Sequence, residues 1–157
     1  MHKERTLDNI YSACEMEGSF TPLIEMDVEL IKSIFNIART DLDTADKWAK
    51  AASKDSEEWN AIFKQYYDAL HGFGEALVYF NQIKARTHEC LFAYLCNKYS
   101  ELELNWDFLE EVRTKRNGIH YYGRPVSYLD WKKLELQMKL HLSVLKKAVE
   151  EKIAHEK

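Results

Sequence analysis

The sequence predicts an all-α fold, a helical bundle built on two long antiparallel helices with shorter helices around them. Three observations predict it. Apolar residues recur at alternating steps of three and four over two long stretches, the period of one helix face. Capping residues and short polar clusters punctuate those stretches. Only 5 Gly and 2 Pro occur among 157 residues, too few for an all-β sandwich with many tight turns. The length suits one domain, 1–157, with an N-terminal extension or helix over 1–24, the bundle over 25–153 and a frayed tail over 154–157.

The elements follow in order. A first helix is expected from Thr6 to Glu17, ended by Gly18, with Ser19-Phe20-Thr21-Pro22 as a loop. From about 27 to 53, Ile31, Phe35, Ala38, Leu42, Ala45, Ala49 and Ala52 form one stripe. Asp55 with Glu58 offers a capping box for a second long helix, about 56 to 84, whose stripe is Trp59, Ile62, Phe63, Tyr66, Leu70, Phe73, Leu77 and Phe80. A short polar turn between two long amphipathic helices predicts antiparallel pairing. Within the second helix, Ala69, Gly72 and Ala76 make a small-residue ridge that admits another backbone, from inside the chain or from a second subunit. Thr87 opens a shorter helix over 87–99, and residues 100–104 connect. Asn105 caps a helix starting at Trp106, and Tyr121-Tyr122-Gly123-Arg124-Pro125 ends it. Ser127 with Asp130 is a capping-box pattern for a last helix reaching about 153, and the charged residues beyond it are expected to fray.

The formal charge is -4, so a broad nucleic-acid coat is excluded and any such role is local. The charge is uneven. Arg113, Lys115, Arg116, Arg124, Lys132 and Lys133 are opposed only by Asp130 over 113–133, whereas Asp41, Asp43, Asp46, Asp55, Glu57 and Glu58 make the middle acidic. The three cysteines, Cys14, Cys90 and Cys96, are odd in number and lack CxxC spacing, which predicts neither a disulfide framework nor a zinc site. A reducing, cytoplasmic setting is the expectation, with no membrane span, since no run approaches the ~18–20 apolar residues that one needs.

The segment Arg113-Thr114-Lys115-Arg116-Asn117-Gly118-Ile119-His120-Tyr121-Tyr122-Gly123 carries the chemistry. Positions 113, 116 and 120 differ by three, four and seven and so share one helix face. Two guanidiniums and one imidazole suit a phosphate better than a core, because arginine is a fixed charged fork and histidine exchanges a proton near neutral pH. The plainer readings are an Arg113–Glu110 ion pair and a histidine at a helix C-terminus. Lys115, Asn117, Tyr121, Tyr122 and Arg124 are candidates for holding RNA, the tyrosines by stacking on bases or else only by packing. His88-Glu89-Cys90 has no second pair at ligand spacing, so neither a metal nor another cofactor is expected. His71 and His141 lie in amphipathic helices and read as structural. No Gly-rich phosphate loop, GxSxG or HExxH occurs in the chain.

Together with His88-Glu89-Cys90-Leu91-Phe92 and Trp106-Asp107-Phe108-Leu109-Glu110, the motif from Arg113 to Gly123 resembles the HEPN superfamily, in its small prokaryotic branch, over roughly 25–150. The resemblance implies a dimerising helical bundle with two motif copies across a shared cleft. It implies a metal-independent endoribonuclease, often a toxin neutralised by a nucleotidyltransferase partner, or a non-catalytic relative binding RNA, nucleotide or protein. In the family pattern an arginine with a polar neighbour precedes the histidine by four to six residues. Arg113 has six residues between it and His120 but is followed by Thr114, whereas Arg116 is followed by Asn117 with three between. Arg113, Arg116 and His120 are the catalytic candidates.

Overall fold

The computed structural model describes residues 4–156; Met1 to Lys3 and Lys157, at the ends of the expected extension and tail, lie outside it. Local capping sets most boundaries. Thr6 accepts a hydrogen bond from the Asn9 amide (3.2 Å) to start α1, Leu7–Met16, and Gly18 leaves it at φ +70°. Asp27 caps α2, Val28–Ala51, through the Leu30 amide (3.0 Å). Thr87 caps α4, His88–Lys98, and Asn105 caps α5, Trp106–Tyr122. The Ser127–Asp130 box forms in both directions at 3.1 and 3.0 Å and starts α6, Tyr128–His155. Each cap satisfies an amide that the first helical turn leaves without a partner.

Four expectations are corrected. The second long helix, α3, is Trp59–Tyr79, and the Asp55–Glu58 box does not form: Ser56 accepts from the Glu58 amide, while Asp55 accepts from the Ser53 hydroxyl. Residues 83–85 leave the helix after Gln82 turns at φ +55°. They make β2, Ile83–Ala85, which pairs antiparallel with β1, Phe20–Pro22, the segment read as a loop. Strands of three residues are too short to show alternation. The tail expected to fray is helical at Ala154 and His155.

The fourth correction concerns cysteine. Cys14 of α1 and Cys90 of α4 form a disulfide, with 5.8 Å between their Cα atoms, and Cys96 is a buried free thiol. The cysteine pattern therefore gives no ground for a reducing setting. Its partners lie 76 residues apart, a distance at which sequence carries no pairing signal. Within the N-terminal segment, the bond and the β1–β2 pair fasten Cys14 and Phe20–Pro22 to the rest of the chain.

The chain is mostly helical around α3, which touches α2, α4, α5, α6 and β2. Three helices pass 20 residues: α2 has 24, α3 has 21 and α6 has 28. Tyr66 of α3 stacks on Trp131 of α6 with ring centroids 4.4 Å apart, and Phe73 meets Phe35 of α2 at 5.5 Å. The small-residue ridge is used internally. A Cβ at Gly72 would lie 2.8 Å from the Ala38 Cβ, so the backbones of α2 and α3 approach here as only glycine allows. Among the described residues, no helix is long and apolar enough to cross a membrane.

Candidate functional site

Helix α5 carries the whole motif. It runs through Gly118 to Tyr122, and Gly123 ends it at φ +59°, where the Arg124 amide donates back to the Gly118 carbonyl at 3.0 Å. Asn105 fixes where the helix begins and Gly123 where it stops, so the motif side chains have defined directions.

Those directions separate the two arginines. Arg113 lies down among carboxylates: its Nε donates to Glu110 at 2.8 Å, and its Nη2 donates to Glu110 at 3.0 Å and to Glu89 of α4 at 2.9 Å. Arg5, just ahead of α1, pairs with the same Glu89 and Glu110, and Trp106 donates to the Arg5 carbonyl. Two cations and two anions thus close on one another. The three-residue stripe is corrected here: Arg113 is a structural fork whose Nε and Nη2 are already held by carboxylates.

Arg116 has the opposite surroundings. No carboxylate pairs with it among the described residues. Its guanidinium lies over the Tyr67 ring at 5.7 Å, and its Nε is buried without a hydrogen-bond partner. Its one side-chain hydrogen bond among the described residues is a 3.5 Å approach of Nη1 to Asn117 Oδ1, at the outer limit for such a bond. The floor beneath it is aromatic and uncharged. Tyr67 bonds His88 Nδ1 through its hydroxyl at 2.9 Å, and His88 lies against His71 with ring centroids 3.9 Å apart. Burial, then the Arg116 charge, pushes the His71 imidazole down to about 4. Burial, then His71 and Arg116, brings His88 to about 4 as well. Both rings are neutral at pH 7 and add no positive charge beside Arg116.

His120 is exposed one turn further along the same face. Partial desolvation, then Arg116 and Lys64, holds its imidazole below the ordinary value, while Asp68 pulls the other way. The shift favours the free base, the form a proton acceptor needs. Tyr121 and Tyr122 stand 71% and 70% exposed, and Arg124 lies over the Tyr122 ring at 5.2 Å. Asn117 and Lys115 are half-buried, Lys115 near Asp130. Two surface hollows lie elsewhere, one along α2 (Ser33, Ile37, Asp41) and one beside Arg5, Trp106 and Glu110. His120 is exposed and Arg116 is half-buried beside it.

Sequence reasoning missed the contribution of α3. Lys64, Tyr67, Asp68 and His71 all surround the motif, and His71 was read as structural. A signal existed. Lys64, Asp68, His71 and Glu75 recur at four, three and four residues, a polar stripe down the most buried helix of the chain. Among the described residues, no group of three or more His, Cys, Asp or Glu could hold a metal ion. Compared with family models, curated proteins and solved structures, the chain finds no match.

Proposed function

We propose that this chain is a metal-independent endoribonuclease of the HEPN kind, with Arg116 and His120 as its catalytic pair. The observation that carries the reading is Arg116: a shielded guanidinium with no carboxylate partner, beside a solvent-facing neutral imidazole. A lone buried donor of this type is costly unless an acceptor completes it. A phosphodiester oxygen supplies one, with the fork geometry that arginine favours.

RNA brings its own nucleophile. His120 takes the proton of the 2′-hydroxyl as the O2′–P bond forms, and Arg116 stabilises the charge that grows on the phosphate oxygens. The P–O5′ bond then breaks, giving a 2′,3′-cyclic phosphate and a 5′-hydroxyl. The leaving oxygen needs a proton, for which a second copy of the motif across a homodimer cleft is the fitting source. Asn117 steadies Arg116. Tyr121, Tyr122, Lys115 and Arg124 hold the flanking nucleotides. In this reading the protein is the toxin of a pair whose antitoxin is a nucleotidyltransferase.

The test is incubation of purified protein with total RNA in the presence of a chelator. Wild type should cleave, while His120→Ala should lose at least about a hundredfold in rate with helicity unchanged. Cleavage that the chelator abolishes, or that His120→Ala retains in full, rejects the mechanism. One observation favours a second reading, a non-catalytic RNA-binding module: the carboxylates that occupy Arg113 leave one free arginine per motif. Salt-sensitive RNA binding lost in Arg116→Ala, without cleavage by wild type, would select it.

A further inference from the structure

Helix α6 is apolar on two opposite faces. Trp131, Leu134, Met138, Leu142, Leu145 and Val149 are buried in the bundle. Leu129, Leu136 and Leu140 are not: they are 70%, 73% and 55% exposed. At 100° per residue, steps of seven and eleven bring these three leucines within about 40° of each other, on the side away from the core. Three isolated surface leucines would call for no explanation, but three in register along about 16 Å of helix form a continuous stripe.

The edges of the stripe are basic. Lys132, Lys133 and Lys139 are exposed along it. The nearby Glu135 is already engaged by Lys132 at 2.7 Å, by the Trp131 indole at 3.2 Å and by Lys139 at 3.8 Å. Self-pairing is poorly suited to this surface. Laying two copies of α6 antiparallel so that Leu129 meets Leu140 sets Lys132 against Lys139 of the other copy, a like-charge contact.

We propose that the outer face of α6 docks an amphipathic helix of a partner protein, whose apolar stripe is edged by Asp and Glu. The leucine stripe supplies the narrow apolar seam that a single helix covers, and the lysines fix the sign of the partner's flanks. This surface is separate from the Arg116–His120 site and does not depend on RNA cleavage.

The test uses an acetylated, amidated helical peptide with leucines at i, i+4, i+7 and i+11 edged by glutamate, and its lysine-edged counterpart. Binding to the full chain is read by fluorescence anisotropy. The glutamate peptide should bind and the lysine peptide should not. Leu136→Glu should weaken binding at least about tenfold, with an unchanged helical spectrum because the side chain is exposed. Lys133→Glu with Lys139→Glu should reverse the preference between the peptides. Equal binding of both peptides, no binding of either, or full binding by Leu136→Glu overturns the proposal. So does a dimer that Leu136→Glu abolishes, which would make a second copy the occupant. Leu136-dependent binding to phosphatidylserine vesicles without binding to the peptide would make it a lipid surface.

Discussion

Reducing the Cys14–Cys90 bond should lower the stability of the whole fold by about 4 kcal/mol. The figure follows from the length of chain the bond closes. Its ends are 76 residues apart, and the loop entropy of an unfolded chain cross-linked over that span gives roughly 15 cal/mol/K, or about 4 kcal/mol at 25 °C. For a chain of this size each kcal/mol moves the melting midpoint by roughly 2–4 °C, so reduction should lower Tm by about 8–16 °C. Both cysteines are buried, at 2% and 4% exposure, so the reductant is best added before refolding. The assay is a thermal melt by circular dichroism, oxidised against dithiothreitol-treated, with the Cys14→Ser, Cys90→Ser double variant as a third sample. Mass spectrometry of unreduced, alkylated protein establishes that the bond is present. Alkylation of both positions without reductant would refute the bond itself. Coincident melts of bonded and reduced protein would refute the entropic account. The folded α1 would then be held by its packing alone, through Tyr11 and its neighbours.

Other consequences follow from named contacts. Acid should weaken the fold through His71 and His88. Their folded values lie below the unfolded 6.5, so the unfolded chain takes the proton first. Stability is whole above pH 6.5 and falls as pH drops through 6.5 toward 4. His71 alone accounts for about 2 kcal/mol at pH 5, and a urea midpoint unchanged between pH 7 and 5 would contradict this. Arg113→Ala should cost about 2 kcal/mol, because Glu89 and Glu110 lose their main partner. Arg116→Ala should leave the urea midpoint nearly intact and abolish RNA binding. The opposite assignment of these two effects would reverse the roles given to the arginines. Gly72→Ala should destabilise by about 1–3 kcal/mol despite its better helix propensity, since the new methyl meets Ala38 at 2.8 Å. A higher denaturation midpoint in that variant would show that α2 and α3 separate easily.

Much of the fold was legible because its signals are local. The caps at Thr87, Asn105 and Ser127 link a side chain to an amide three residues on, and such a bond is specified by the residues between. The Asp55–Glu58 pattern shows the limit. It has the right residue types, yet Ser56 takes the Glu58 amide and the helix starts at Trp59, three residues later than expected. β1 and β2 were illegible because each gains its hydrogen bonds only from the other, across more than sixty residues.

The candidate site divides the same way. Sequence alone determined that 113–122 is one helix, that Arg116 and His120 share a face, and that this segment carries the positive charge of an acidic chain. What it could not determine is what each side chain faces. Glu89, 24 residues away, completes the cage around Arg113. Tyr67, His71 and His88 arrive from other helices to leave Arg116 over an uncharged floor. Helical periodicity places a residue on a face at fixed angle and rise, but the partner across that face comes from distant chain. Charge neutralisation and desolvation depend on that partner, so which arginine is free was decided by tertiary packing.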